Sequence, residues 1–159
     1  MTQNLTSADL QHFIDEKNIE ATILIMAEHT PTVPDAARAL QVEPEQIIKS
    51  LVFMVNDEPI LIINNGTAKI NRRKIATRLD VGRKKVKFAS PEQALEITGY
   101  IVGSMPPFGH HQTLRTFIDP AITALDSIYG GGGDIDAMMR LTPDELLRVT
   151  TGELLPVSE

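Results

Sequence analysis

The sequence predicts one α/β (α+β) domain over residues 1–159, with helices and strands interleaved along the chain. Three observations carry that expectation. Apolar runs of strand length alternate with amphipathic stretches opened by Ser, Thr or Asn. A chain of 159 residues with 42% hydrophobic and 23% charged residues suits a single core. Neither an internal repeat nor a low-complexity linker divides it.

The first element is a helix capped by Ser7, with Leu10, Phe13 and Ile14 on its apolar side and its end near Asn18. Residues 21–27 (ATILIMA) are short, apolar and rich in β-branched side chains, which predicts a buried strand. Thr32 then caps a helix with Pro34 and Asp35 in its first turn. Ala36, Ala37 and Leu40 form its buried side, and it stops near Gln41. Residues 44–47 add a helical turn, and residues 48–55 and 59–63 read as strands joined through Asn56-Asp57-Glu58 into a hairpin.

Asn64-Asn65-Gly66 is a turn signal, and Asn71 caps a short helix that turns Ile75, Ala76 and Leu79 inward and ends before Gly82. Residues 86–89 read as a short strand. Ser90-Pro91-Glu92-Gln93 opens a helix, with Pro first and Gln third, and Gly99 stops it. Residues 100–103 are expected to be extended. Pro106 and Pro107 lack an amide hydrogen and Gly109 invites an unusual backbone angle, so residues 104–111 form a structured loop. Residues 114–118 read as a strand, Asp119-Pro120 as a helix-like start, and 127–129 as a strand. A tight turn at 130–133 leads into a strand at 135–141, and Thr142-Pro143-Asp144-Glu145 opens a final helix through Val149.

Composition narrows the chemistry. With no Cys, disulfide scaffolds, thiolate zinc sites and cysteine nucleophiles are excluded. No apolar run approaches the roughly 20 residues that cross a bilayer. Met1-Thr2-Gln3-Asn4 is not a basic-then-apolar leader, so a cytoplasmic protein without a membrane partner is expected. A net charge of -6 argues against a general nucleic-acid coat, and DNA is not an expected partner. The distribution differs from the total: nine of the fifteen basic residues lie within 69–87 beside one acid, Asp80, giving that segment +8. The six basic and twenty acidic residues elsewhere give -14, so a localized anionic partner is expected.

Lys49 is the most informative single residue. Strand alternation places it with Leu51, Phe53 and Val55, opposite Ile48, Val52 and Met54. A lysine in a strand apolar on both sides either reaches water from the strand end or holds an anion in a cavity. Ser50 beside it has no local His placed as its base. The loop Gly103-Ser104-Met105-Pro106-Pro107-Phe108-Gly109-His110 either holds backbone amides open toward a carbonyl or phosphate oxygen or serves the topology alone. His110 and His111 are adjacent, point apart in an extended chain and lack a spaced third ligand, so neither a metal nor a cofactor is expected. Arg72, Arg73 and Lys74 fall in the first turn of the Asn71-capped helix, where the helix dipole disfavours positive charge. They serve either an external phosphate or a solvated face. Gly130 to Gly133 precede Asp134 and a strand rather than a helix, which reads as a hairpin turn and not a dinucleotide fingerprint.

Three stretches in this order resemble the YbaK/aminoacyl-tRNA synthetase-associated domain family, which includes free-standing editing proteins related to the inserted domain of bacterial prolyl-tRNA synthetase. They run from Thr32-Val33-Pro34-Asp35-Ala36-Ala37 through Ile48-Lys49-Ser50-Leu51-Val52-Phe53, from Gly99-Tyr100-Ile101-Val102-Gly103 through Pro106-Pro107-Phe108-Gly109-His110, and from Tyr129-Gly130-Gly131-Gly132 through Leu141-Thr142-Pro143-Asp144-Glu145-Leu146. The resemblance implies a curved, mixed and mostly antiparallel sheet approaching a barrel, wrapped by helices. It implies hydrolysis of the ester joining a wrong amino acid to the 3′-terminal ribose of a tRNA. Lys49 then matches the family's lysine, expected to hold the terminal nucleotide or stabilise negative charge, and Gly103 its loop glycine, whose backbone orients the substrate carbonyl. Ser104, Pro106, Pro107, Gly109 and His110 are the expected substrate-loop contributors. Lys69, Arg72, Arg73, Lys74, Arg83, Lys84 and Lys85 suit the phosphates of the acceptor stem.

One departure stands out. Members resembling the cysteinyl-tRNA editing type carry an Asp in the strand after the glycine-rich turn, where this chain has Met138; Asp134 and Asp136 are out of that register. The expectation is therefore a single-domain deacylase of mischarged tRNA acting in trans. Its rivals are a module that binds tRNA ends or a nucleotide-like ligand without turnover, and a partner module of a synthetase.

Overall fold

Apolar runs at 51–55 and 60–63 pair with each other at the centre of the molecule, described over residues 4–159 by a computed structural model. In chain order the elements are α1 (Ser7–Glu16), β1 (Ala21–Ile25), α2 (Val33–Leu40), β2 (Ile48–Val55), β3 (Glu58–Asn65), α3 (Arg72–Leu79), β4 (Val86–Phe88), α4 (Pro91–Thr98), β5 (Arg115–Ile118), β6 (Ile128–Gly131), β7 (Ala137–Leu141), α5 (Pro143–Thr150) and β8 (Glu153–Leu154). Short 3-10 turns lie at Pro44–Gln46, Arg83–Lys85 and Pro120–Ala124. Met1, Thr2 and Gln3, part of the stretch inspected for a leader, lie outside the described residues.

β2 and β3 form the expected hairpin. Asn56 and Asp57 both take positive φ, 49° and 66°, the handedness that lets a two-residue turn follow the right-handed twist of its strands. β2 and β3 lie within a five-stranded sheet of order β4-β2-β3-β5-β8, and the remaining strands form a second sheet, β1-β7-β6. β3–β5 and β5–β8 are parallel and the other pairs antiparallel, so the mixed, mostly antiparallel expectation holds. A parallel bridge between Ile47 and Tyr129 joins the two sheets, and no closed barrel forms.

Alternation along β3 explains why it is central. Leu61 and Ile63 enter one core with Ile48, Val52, Tyr100, Ile118, Met139 and residues of α1 and α5. Ile60 and Ile62 enter a second core with Phe53, Val55, Ile75, Val86 and Phe117, beneath α3. Burial of one such side chain stabilises by about 1.5–3 kcal/mol, and β3 is covered on both faces. A third, small cluster of Ala36, Ala37, Ile47 and Met138 seats α2.

Local signals placed most helix ends. The side chains of Thr32, Ser90 and Thr142 accept from the amide three residues on, and Asn71 from those two and three on; such a cap contributes about 1 kcal/mol. Elsewhere the structure corrects the reading. The cap of α1 is Thr6, one residue before Ser7, with its amide donating to Asp9 at 2.8 Å. β1 ends at Ile25 and is an edge strand with no fully buried residue and with Thr22 and Ile25 exposed, because only β7 pairs with it. Asn64 and Asn65 continue β3, leaving Gly66 to turn; α3 does end before Gly82, with a left-handed Asp80 as the residue that closes it. Residues 100–103 turn instead of extending, β6 includes Gly130 and Gly131, and β7 begins at Ala137. β8 exists by pairing with β5, a partner that local pattern does not reveal.

Candidate active site

The site grows from the start of β2. β4 pairs with Phe53, Met54 and Val55, so the earlier half of β2 has no strand of its own sheet beside it on that edge. A cleft of about 410 Å³ opens there, lined by Lys49 and Ser50, by Val33 and Ala36 of α2, by Gly103 and by Met138 of β7. Among the described residues, Lys49 is the one charged side chain in its lining, which contains no carboxylate and no His.

Lys49 lies on the face that packs into the second core, with its ammonium at the strand's open end. Its Nζ donates to the carbonyl oxygen of Ala68 at 2.7 Å, and no carboxylate among the described residues forms an ion pair with it. Burial pulls its pKa below the usual lysine value. Its charge is thus held by a neutral oxygen. Asn64, directly opposite on β3, is fully buried and donates to the same Ala68 oxygen at 3.0 Å and to Ser158 Oγ at 3.3 Å.

Gly103 ends a turn in which the Ser104 amide donates to the Ile101 carbonyl at 3.0 Å. Its φ is +99°, and a Cβ there would meet nothing within 4 Å, so the backbone faces open cleft. The loop behind it explains the glycine run: a Cβ on Gly131 would sit 2.3 Å from the Met105 carbonyl oxygen, and the Gly133 amide donates to the Ser104 carbonyl at 2.9 Å. These glycines let the loop lie directly on β6.

Lys49 and Gly103 are thus brought together; Ser104, Pro106, Pro107, Gly109 and His110 do not line their cleft. Ser104 is buried and its hydroxyl donates to the Ile101 carbonyl at 2.8 Å. His110 packs beneath the loop, its Nε2 bonded to the Pro106 carbonyl at 2.8 Å and its ring edge-on to Tyr100. Burial lowers its pKa, which keeps the ring neutral. Pro107, Gly109 and His110 border a separate crevice on Phe13 and Val149. Met138 does face the cleft, whereas Asp134 accepts from the Ser7 amide, the first of α1, at 3.0 Å.

A second, larger cavity of about 700 Å³ adjoins the cleft and shares Lys49, Leu51 and Phe88 with it. Lys69, Arg72, Arg73 and Arg83 line this bowl. Lys84 and Lys85 are exposed outside it, and Lys74 turns to the Ser158 carbonyl at 3.0 Å. Arg78 is engaged by Glu153 in an ion pair. Sequence counting could not sort these cations, because Lys74 and Arg78 are claimed by Ser158 and Glu153, partners about 75 or more residues away in the chain. The C-terminal Glu159 also borders the bowl, a neighbour that no sequence signal indicated. Among the described residues, no cluster of His, Asp or Glu could hold a metal ion, and no helix is long and apolar enough to cross a membrane.

Comparison with known proteins places the chain in a family. Residues 27–149 match the model of the aminoacyl-tRNA editing domain. The protein YwhH of Bacillus subtilis is 32% identical over 130 residues, which cover 81% of each chain. The proline–tRNA ligase of Listeria innocua is 28% identical over 137 residues, 86% of this chain and 23% of the ligase, so the chain spans about a quarter of that enzyme. A solved structure named "putative trans-editing enzyme for prolyl tRNA synthetase" superposes with a TM-score of 0.90 at 27% identity over 96% of both chains. The matched span covers most of the chain and the YwhH relative is covered over four fifths of both lengths: the chain belongs to the aminoacyl-tRNA editing domain family.

Proposed function

We propose that this protein is a trans-acting aminoacyl-tRNA deacylase of the cytoplasm, hydrolysing the ester of mischarged tRNA. The observation that carries the reading is that Lys49 stands alone as a charge in the cleft and at its junction with a cationic bowl. The acceptor-end phosphates occupy the bowl, and the aminoacyl ester enters the cleft with its carbonyl against the turn at Gly103. Lys49 meets the terminal phosphate or the oxygen on which negative charge develops. With no Cys in the chain and no His or carboxylate in the lining, no protein nucleophile or general base is assigned. An aminoacyl ester is already activated, so a held water, the neighbouring ribose hydroxyl and preorganised donors, each contributing about 3–4 kcal/mol, are enough. Ser104, Pro106, Pro107, Gly109 and His110 act behind this site by fixing the loop.

The test is amino-acid release from a panel of mischarged tRNAs, with alanyl-, cysteinyl- and seryl-tRNA included, by the parent chain and by Lys49→Ala. Release from one or two members, lost in the variant, supports deacylation. Salt-sensitive tRNA binding without release from any ester replaces it with a binding module. The family resemblance to synthetase-fused domains further suggests a synthetase as partner, and co-purification at low salt tests that contact.

A further inference from the structure

Phe88 closes β4 with 52% of its surface in solvent, although Val86, two residues earlier on the same face, is fully buried. Core packing therefore ends before Phe88, and the ring extends that face outward. Its inner side rests on the fully buried Phe53, with ring centroids 4.2 Å apart and planes 35° from parallel, so the exposed ring has a rigid backing. The Arg72 guanidinium lies 5.8 Å from its centroid, and no ion pair among the described residues engages Arg72. Phe88 lines both cavities, with the cationic bowl on one side and the cleft of Lys49 and Gly103 on the other.

A ligand that puts phosphate in the bowl and an ester in the cleft must place whatever joins them at this ring. In a nucleotide esterified on its ribose, the base hangs from that junction. Bases stack on aromatic rings and on guanidinium planes, and they do so with little sequence preference because every base has a π face. We propose that Phe88 is a stacking platform for a nucleobase, with Arg72 swinging off the bare ring to close over the base. Resting on the deacylase reading, the ligand is the terminal base of an RNA acceptor end; a free mononucleotide shares the same chemistry. An aromatic pair that merely steadies the edge strand is the plainer account. The two differ at Phe88→Leu, which keeps an apolar contact with Phe53 and removes the flat surface.

The chain has no Trp, so Phe88→Trp installs a single, selectively excitable Trp at the site. Titration with the trinucleotide CCA should quench it saturably, whereas ribose 5-phosphate should not. Quenching by AMP as tight as by CCA supports the platform but assigns it to a free mononucleotide. Absence of quenching by both, in a variant with parental circular dichroism, overturns it. In deacylation, Phe88→Leu should raise KM about 5- to 160-fold, the range of a lost base stack, and change kcat less than about threefold. An unchanged KM in an active enzyme overturns the platform and leaves the deacylase standing. Quenching by CCA in a chain that releases no amino acid does the reverse.

Discussion

Lys49 and Asn64 face each other across the β2–β3 hairpin and donate to one oxygen, the carbonyl of Ala68, from 2.7 and 3.0 Å. The carbonyl's two lone pairs are thereby shared between an ammonium and an amide. Ser158 helps to hold the amide, so the C-terminal segment is tied indirectly to the lysine. The site's charge is set by a buried polar network in which the lysine has a neutral partner.

Replacing that neutral neighbour by a charged one gives the sharpest expectation. Asn64→Asp places a carboxylate beside Lys49, which favours the ammonium and raises a pKa that burial now holds below the lysine norm. On the proposed reading deacylation needs the ammonium and should fall as pH rises through the Lys49 pKa, so this alkaline limb should move upward. The rate at neutral pH should fall at least about tenfold as the new ion pair occupies the lysine. Asn64→Leu should lower the rate without moving the limb upward. An unmoved limb in Asn64→Asp, measured over background hydrolysis, removes Lys49 as the titrating group.

Two glycines should respond differently to alanine. Gly103→Ala meets no steric obstacle but retains a φ of +99°, costing about 1–3 kcal/mol and disturbing the turn proposed to meet the substrate. Gly131→Ala drives a Cβ into the Met105 carbonyl and must push the whole loop away. Urea denaturation should show the larger loss for Gly131→Ala, and release assays should show reduced activity in both.

Phosphate contact should be confined to the bowl. Arg73→Ala and Arg83→Ala should each raise KM and reduce its log–log salt dependence by about one unit, with kcat nearly unchanged. Lys84→Ala and Lys85→Ala, outside the bowl, should do less. Equal effects from all four in tRNA titrations at two salt concentrations would make the segment a diffuse positive surface.

Acid stability should depend on Glu145. Arg148 donates to its carboxylate at 2.6 and 2.7 Å and the Glu20 amide at 2.6 Å, which holds its pKa at about 2. A depressed carboxylate stabilises fully above its unfolded value of about 4.3 and loses that contribution as pH falls toward 2. Glu145→Gln should cost on the order of 1–3 kcal/mol at neutral pH and flatten the stability curve across that acid window. Denaturant titrations at pH 7 and at about pH 3 check both parts.

Much of the fold was legible because its signals are local. Thr32, Asn71, Ser90 and Thr142 reach amides two or three residues away, and Asn56-Asp57 needs its two strands to make the turn. Readings that depended on distant neighbours went astray. β1 looked buried by composition yet borders open solvent, and residues 100–103 turn while the loop after them lies on Gly131. His110 carried a chemically suggestive side chain, but its direction follows from the Pro106 carbonyl and Tyr100.

By itself the sequence determined the caps, the central hairpin, the face that Lys49 shares with Leu51 and Phe53, and the concentration of positive charge in residues 69–87. Each follows from periodicity or from contacts within a few residues. Only the tertiary structure decided that β4 stops short and opens a cleft beside Lys49, that Gly103 meets it there, that Met138 and not Asp134 faces in, and that four of the basic residues line a bowl. Those outcomes depend on pairing and close packing between segments far apart in the chain, where one carbonyl against one glycine sets the path of a loop.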